Sequence, residues 1–207
     1  MKRTIFTIAA LSITTLMHAT VRDTVNINRG WQFHLGPLSG VSDMRTAKTQ
    51  TVNLPHDFLI NQPWVEPDAS ERPDNSDAGS NVRSRLSPRG FKEMNTGWYR
   101  YELTPAAEWK GRRVMLDFQG IMLVGDVWVN GELVGGTDYG YLGFDIDITD
   151  RLRFDSPNEI VVKADTREPN NSRWYTGGGL YRDVNIIVTD RKLYFPRHPL
   201  FIRTVDN

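Results

Sequence analysis

A histidine and an aspartate are neighbours in the segment LPHDF, where His56 precedes Asp57. These residue types could act with a serine in nucleophilic hydrolysis, in which the histidine takes the serine proton and the aspartate orients the histidine. The three groups of such a triad must meet in space, and adjacency in sequence does not form one. No G-x-S-x-G nucleophile elbow occurs in the sequence. We therefore interpret LPHDF as a capped turn after Pro55.

Two carboxylates follow each other in the segment FDIDITD, at Asp145 and Asp147. On a strand they share one side and lie about 6.6 to 6.8 Å apart by the rise per residue. That spacing is close to the separation of the acid and the base in inverting glycoside hydrolysis, roughly 6.5 to 9.5 Å. The strict alternation with apolar residues is sufficient to explain the pair. We favour solvated surface acids over a catalytic pair, and over a calcium site with Asp150, whose spacing matches no EF-hand loop.

An arginine and two aromatic residues precede three consecutive glycines in the segment RWYTGGGLYRDV. An aromatic face packs on the apolar face of a sugar ring, and a guanidinium donates hydrogen bonds to hydroxyl groups. Arg173 and Trp174 are therefore candidate carbohydrate contacts. The alternative is that Trp174 is a buried residue that braces the core. Glycines 177–179 do not form a phosphate cradle, because no helix and no G-K-[S/T] follows, and instead permit a tight turn or close backbone approach.

The sequence predicts strands around the candidate residues named above. FDIDITD alternates strictly, and DVWVNGELVGG is a hairpin with Asn130-Gly131 at its tip, a pair that tolerates the positive φ angles of a type I′ turn. Further apolar and β-branched runs are separated by turn residues, with no amphipathic helix between them. The sequence predicts an all-β fold, an antiparallel β-sandwich. Residues 63–92 are rich in Pro, Ser, Asp, Asn and Arg and are predicted to form a long functional loop or a partly disordered segment.

Composition excludes several classes of function. Lysine plus arginine equals aspartate plus glutamate, 25 each, so no charge excess favours nucleic acid or a membrane surface. The sequence has no cysteine, which excludes disulfides, thiolate metal sites and cysteine nucleophiles. The four histidines show no metal-ligand spacing. We predict neither a metal nor a cofactor.

The first residues indicate export. Lys2 and Arg3 precede an apolar stretch from Ile5 to Met17, which is shorter than the roughly 20 residues of a membrane-spanning helix. We predict a signal peptide over residues 1–19 and a periplasmic or secreted protein. A buried N-terminal helix is the alternative, although no cap or polar face accompanies the stretch.

Seven ordered motifs carry a resemblance to a known family: LPHDF, NTGWYRYEL, GRRVMLDFQGI, DVWVNGELVGG, GYLGFDIDITDRL, NEIVVKADT and RWYTGGGLYRDV. From about residue 28 to 190 the chain resembles the N-terminal sugar-binding domain of family 2 glycoside hydrolases, and among them exported β-galactosidase-like members. The resemblance implies a jelly-roll, galactose-binding-like sandwich. It also implies a following immunoglobulin-like domain and a (β/α)₈ barrel whose two glutamates cleave the glycoside with retention.

The same resemblance implies a supporting role for this chain. A barrel alone needs about 250 residues, and we find no catalytic carboxylate pair in the sequence. In the family, an asparagine and an acid of this domain reach the sugar. The family asparagine aligns with Met94, which is one residue before Asn95. The family acid aligns with Arg173. We expect Arg173 and Trp174 to face the rim of the active site, with Asn95 and Glu93 as further substrate-binding candidates.

The predicted organisation is a signal peptide (1–19), a sugar-binding sandwich (20–190), and a linker with the start of an immunoglobulin-like domain (191–207), because LFIRTV resembles the first strand of an unfinished domain. The predicted function is that of a supporting domain of an exported retaining glycoside hydrolase, most similar to β-galactosidases. A stand-alone carbohydrate-binding module without activity is the alternative. Expected partners are an oligosaccharide or glycoside, the downstream domains and a second copy in a homo-oligomer, with no nucleic acid or membrane.

Overall fold

Two antiparallel β-sheets pack face to face around one apolar core. The computed structural model describes residues 22–64, 92–167, 175–195, 197 and 203–204. Their strands form one sheet of four and one of six strands, and every pairing between strands is antiparallel. The predicted all-β sandwich is therefore confirmed. The predicted signal peptide, residues 65–91 of the predicted loop, and most of LFIRTV lie outside the described residues.

The described residues contain ten strands and four short 3₁₀ turns. The strands are β1 (Asp23–Asn26), β2 (Trp31–Leu35), β3 (Gln50–Val52), β4 (Thr96–Leu103), β5 (Arg113–Phe118), β6 (Val124–Val129), β7 (Glu132–Thr137), β8 (Phe144–Asp147), β9 (Asn158–Asp165) and β10 (Val184–Thr189). The 3₁₀ turns are Val41–Arg45, Leu59–Asn61, Ala107–Trp109 and Thr149–Arg151. The four-stranded sheet has the order β1-β10-β5-β8, and the six-stranded sheet has the order β3-β2-β4-β9-β6-β7.

Alternation along the strands builds the core. Tyr99 from β4 and Ile160 from β9 point inward from the six-stranded sheet, and Leu116 from β5 and Ile186 from β10 point inward from the other. Each of these side chains is fully buried. Burying a large apolar side chain stabilises the fold by about 1.5 to 3 kcal/mol, so this shared core is what holds the two sheets together.

The predicted hairpin at Asn130-Gly131 is confirmed. It joins β6 to β7, and Asn130 and Gly131 have φ angles of 53° and 87°. Positive φ at both central residues is the geometry that a type I′ turn requires and that this residue pair tolerates.

A polar row crosses the outer face of the four-stranded sheet. Asn26, Asn185, Asp117 and Asp145 are direct cross-strand partners on β1, β10, β5 and β8. The Asn26 amide donates to Asn185 Oδ1 (3.0 Å), and the Asn185 amide donates to Asp117 Oδ2 (2.9 Å). Arg197 closes the row, since its Nη1 donates to Asp117 and, at 3.0 Å, to Asp145 Oδ1.

The polar row corrects one prediction about the carboxylates of β8. Both point away from the core, as the alternation predicts, but only Asp147 is a solvated acid, with 43% of its side chain exposed and an ion pair to Arg113. The Asp145 side chain is 13% exposed because Arg197 covers it. Burial raises the pKa of Asp145 against the attraction of Arg197, and the neighbouring Asp117 raises it further. Because each acid is engaged by an arginine, the pair does not form an acid/base couple.

No helix in the described part of the chain is long and apolar enough to cross a membrane.

Candidate functional site

Two segments that are about 120 residues apart in the sequence meet at one corner of the sandwich. The LPHDF segment runs alongside residues 175–180, which we call the glycine segment. The His56 N–H donates to the Leu180 carbonyl (2.8 Å), and the Phe58 N–H donates to the Gly178 carbonyl (3.0 Å). These two bonds have the antiparallel pattern of a short ladder. The two segments therefore form one unit, which we call the corner site.

Asp57 is the centre of the corner site. Its Oδ1 accepts hydrogen bonds from the backbone N–H groups of Leu59 (2.9 Å) and Gly178 (2.8 Å). Its Oδ2 accepts a hydrogen bond from the Tyr175 hydroxyl (2.6 Å). The bond to Leu59 confirms the predicted capped turn. The other two fix the backbone and one aromatic side chain of the glycine segment, and hydrogen bonds to a carboxylate are among the stronger ones in proteins.

The three consecutive glycines are explained by close approach. Gly177 has a φ of 76°, and a Cβ there would lie 2.9 Å from Asp57 Oδ2. At Gly178 a Cβ would lie 2.8 Å from Thr166 Cγ2, and at Gly179, where φ is 113°, it would lie 2.2 Å from the Tyr99 hydroxyl. A larger residue at Gly177 would push the segment away from Asp57, and one at Gly178 or Gly179 would displace Thr166 or Tyr99. The prediction that these glycines permit close backbone approach is confirmed, although they lie before β10 rather than in it.

A fourth glycine allows the LPHDF segment to anchor on β4. A Cβ at Gly97 would lie 2.5 Å from Phe58 Cε1 and 2.9 Å from the Phe33 ring. The Phe58 side chain is buried, and its ring stacks on Phe33 with centroids 5.8 Å apart. The glycine of the NTGWY motif therefore leaves the space in which Phe58 holds the corner site to the core.

His56 and Tyr99 form a polar contact beneath the corner site. His56 Nδ1 lies 2.9 Å from the Tyr99 hydroxyl. Burial lowers the pKa of His56, against the opposing charge of Asp57, and burial raises the pKa of Tyr99. Both shifts favour the neutral forms at neutral pH. The pair is therefore a neutral, structural contact.

Asn95 adjoins the corner site through Thr166. The Asn95 carbonyl accepts from the Thr166 N–H (3.1 Å) and hydroxyl (2.8 Å), and Thr166 is the residue that Gly178 packs against. The Asn95 side-chain oxygen accepts from the Thr96 N–H (2.8 Å). Glu93 is exposed, and its N–H donates to the Pro63 carbonyl (3.1 Å). These contacts place Asn95 beside the corner site and Glu93 beside Pro63.

Arg173 and Trp174 lie outside the described residues. The residue that follows them, Tyr175, is 40% exposed and is held by Asp57. The anchoring role of Asp57 was not predicted, and a signal for it existed: three consecutive glycines leave a backbone open to a carboxylate. Within the described ranges, no group of three or more His, Asp or Glu side chains could hold a metal ion.

Comparison with protein families gives one match that covers much of the sandwich. Residues 90–177 match the family described as glycosyl hydrolase 2 galactose-binding domain-like. This stretch begins just before β4 and ends in the glycine segment. Strands β4 to β9 and the start of the corner site therefore carry the similarity.

Curated relatives are much longer than this chain. A β-galactosidase of Bacteroides ovatus is 32% identical over 79% of this chain, which spans 18% of that enzyme. A β-glucuronidase of Bacteroides fragilis is 26% identical over 87% of this chain, which spans 22% of it. The chain thus corresponds to about a fifth of the length of each.

The similar proteins of solved structure are also much longer than this chain. A glycosyl hydrolase family 2 member from Bacteroides cellulosilyticus has a TM-score of 0.64 and 33% identity, and the match covers 81% of this chain and 20% of that one. A β-glycosidase from Bacteroides vulgatus has a TM-score of 0.65 and 31% identity, and the match covers 80% of this chain and 20% of that one.

Proposed function

Because the chain belongs to glycoside hydrolase family 2 as a galactose-binding-like domain, we propose that it is the N-terminal sugar-binding and supporting domain of a retaining glycoside hydrolase. We propose β-galactosides as substrates. The β-galactosidase relative is more similar to this chain than the β-glucuronidase relative is, at 32% against 26% identity. The carboxylates that cleave the glycoside belong to a barrel encoded outside these residues.

The observation that carries this proposal is the anchoring of Tyr175 by Asp57. A supporting domain needs a segment that is rigid at its base and exposed at its tip, because a sugar contact is useful only if its position is fixed beforehand. The glycine segment has this character: its backbone is bonded to LPHDF and to Asp57, while Tyr175 remains partly exposed. The segment leads directly to Trp174 and Arg173.

We assign sugar contacts to Arg173 and Trp174, with Asn95 and Glu93 as further candidates. The indole would pack on the apolar face of the sugar, and the guanidinium would donate to its hydroxyl groups. Support for Asn95 is its contact with Thr166, against which Gly178 packs. Glu93 is proposed because it is exposed and lies just before β4. We further propose that the protein is exported through the signal at residues 1–19 and acts in the periplasm or outside the cell.

Hydrolysis of chromogenic glycosides tests this proposal. The 207-residue chain and the polypeptide encoded by the whole reading frame would be assayed on nitrophenyl β-galactoside, β-glucuronide and β-mannoside. We expect hydrolysis by the longer polypeptide alone, with the galactoside cleaved at least tenfold faster than the others. Preference for the glucuronide would keep the supporting role and overturn the proposed sugar. Activity of the purified 207 residues, or a reading frame that encodes no further domain, would contradict the proposal itself.

A further inference from the structure

The chain that follows β10 folds back onto the outer face of the four-stranded sheet. Its backbone turns at Asp190, whose Oδ1 accepts hydrogen bonds from the N–H groups of Lys192 and Leu193 (2.8 Å each). An aspartate that bonds to the backbone shortly after itself is a common way to fix a turn. We call residues 190–195, together with Arg197, the strap.

Strand β5 holds the strap at two places. At the start of β5, the Arg113 guanidinium carbon lies 4.1 Å from the centroid of the Tyr194 ring, and Arg113 Nη2 donates to the Arg191 carbonyl (3.3 Å). Near the end of β5, the Arg197 guanidinium pairs with Asp117. Because these contacts lie towards opposite ends of β5, the strap follows one fixed path along the sheet.

The strap carries two highly exposed apolar side chains. Leu193 is 84% exposed and Phe195 is 69% exposed, whereas Tyr194 between them, whose ring contacts Arg113, is 37% exposed. Single exposed apolar residues are ordinary on a protein surface. Large ones that are grouped on a fixed backbone indicate an interaction surface.

The loop between β7 and β8 extends this surface. Gly143 packs against the end of the strap, since a Cβ there would clash with the Arg197 guanidinium. The residue before it, Leu142, is 64% exposed. Leu142, Leu193 and Phe195 therefore border the same face of the sandwich, and we call these three side chains the apolar patch.

We infer that the apolar patch is the docking surface for the domain that follows this one in the same polypeptide. The inference rests on the proposed function, which assigns further domains to that polypeptide. This chain spans 18% of the β-galactosidase relative and 22% of the β-glucuronidase relative. A domain joined through a short linker meets the patch at an effective concentration on the order of millimolar, so a small apolar contact is sufficient to hold it.

The size of the patch favours this occupant over a second copy of the chain. A stable dimer buries about 800 Å² on each partner, from roughly 20 to 30 residues, and three side chains supply much less. A tethered domain needs less area, because the linker has already removed much of the entropy cost of association. Arg197 is also fixed to Asp117 and Asp145, so the linker leaves the sheet at a defined point.

Trypsin cleavage of the polypeptide encoded by the whole reading frame tests the docking surface. A docked domain shields the linker, which contains trypsin sites at Arg197 and Arg203. We expect the double variant Leu193→Ser, Phe195→Ser to be cleaved there about tenfold faster than the wild type, because undocking exposes the linker. In the 207-residue chain the same substitutions should leave the cleavage rate unchanged. Leu133→Ser is the matched control, since Leu133 is 57% exposed on β7, in the other sheet.

Three results would overturn the inference. One is equal cleavage of the double variant and the wild type. Another is the same acceleration in the 207-residue chain, which would show that the substitutions loosen the strap itself. The third is a dimer of the wild-type polypeptide in sedimentation that the double variant loses, which would make the occupant a second copy.

Hydrolysis of nitrophenyl β-galactoside separates this inference from the proposed function. A polypeptide that hydrolyses the glycoside, but whose linker is cleaved equally with and without the two substitutions, contradicts the docking surface alone. A reading frame that encodes no further domain contradicts both.

Discussion

Replacing Asp57 by alanine is expected to destabilise the sandwich by about 3 kcal/mol, because the variant leaves two backbone N–H groups and one hydroxyl without their acceptor. Those donors belong to Leu59, Gly178 and Tyr175; the bond from Leu59 caps the turn, and the bonds from Gly178 and Tyr175 join the two segments of the corner site. Urea unfolding followed by tryptophan fluorescence measures the loss as a lower midpoint with an unchanged slope.

Two further variants separate the contributions of the Asp57 carboxylate. Asp57→Asn keeps an acceptor oxygen for Leu59 and Gly178. The free energy of unfolding is therefore expected to fall by less than about 1 kcal/mol in this variant. Tyr175→Phe removes the hydroxyl that donates to Asp57 Oδ2 and should also cost about 1 kcal/mol. If Asp57→Ala unfolds within 0.5 kcal/mol of the wild type, a difference typical of neutral surface changes, Asp57 does not hold the corner site together.

Replacing Arg197 by methionine is the second change with a large expected effect. Arg197 lies across Asp117 and Asp145, whose side chains are 9% and 13% exposed. Without the guanidinium, two adjacent and nearly buried carboxylates lose the cation that pairs with both of them, and removing one member of such a cluster typically costs about 3 kcal/mol. Gly143 leaves room for this arginine, since a Cβ there would lie 2.3 Å from Arg197 Nη2. We expect urea unfolding at pH 7 to show that Arg197→Met lowers the free energy of unfolding by about 3 kcal/mol.

The destabilisation by Arg197→Met should depend on pH. The pKa of Asp145 is already raised above its ordinary value in the folded protein, and removing the arginine raises it further. A carboxyl whose folded pKa exceeds its unfolded pKa disfavours folding above the folded pKa, and this penalty disappears as pH falls through it. The difference in the free energy of unfolding between the variant and the wild type should therefore shrink from pH 7 towards pH 4. Asp145→Asn in the variant background should restore part of the stability at pH 7. A loss that does not change with pH, and is not relieved by Asp145→Asn, would contradict this assignment.

The strands that the sequence predicted are marked either by strict alternation or by runs of β-branched and apolar residues. FDIDITD and NEIVVKAD became β8 and β9, and the Asn130-Gly131 turn is where its residue types require it. Strands β1 to β3 were not predicted, because they are three to five residues long, and β1 is exposed along its whole length. Alternation reports burial on one face, and the edge strands β1 and β3 carry too little of it, whereas the interior strand β2 alternates over only five residues.

The candidate site was predicted only in part, since its contacts join distant segments. The glycines indicated close approach, but their partner, Asp57, is about 120 residues earlier and was interpreted only as a local cap. Likewise, alternation placed Asp145 on the outer face, but a residue 52 positions later covers it. The period of a strand specifies which face a residue is on, whereas the cover of that face depends on tertiary structure. The roles of Arg173 and Trp174 remain predictions.

The steady-state kinetics of Trp174→Ala test the central claim most directly. In the polypeptide encoded by the whole reading frame, nitrophenyl β-galactoside would be the substrate and the urea midpoint would report on folding. If this domain completes the sugar site, kcat/KM should fall by about tenfold or more, an effect of the size expected for one lost aromatic contact, while the midpoint is unchanged. Unchanged kcat/KM in a folded variant would show that Trp174 is not a sugar contact. Loss of folding without a separable kinetic effect would show that Trp174 is a core residue.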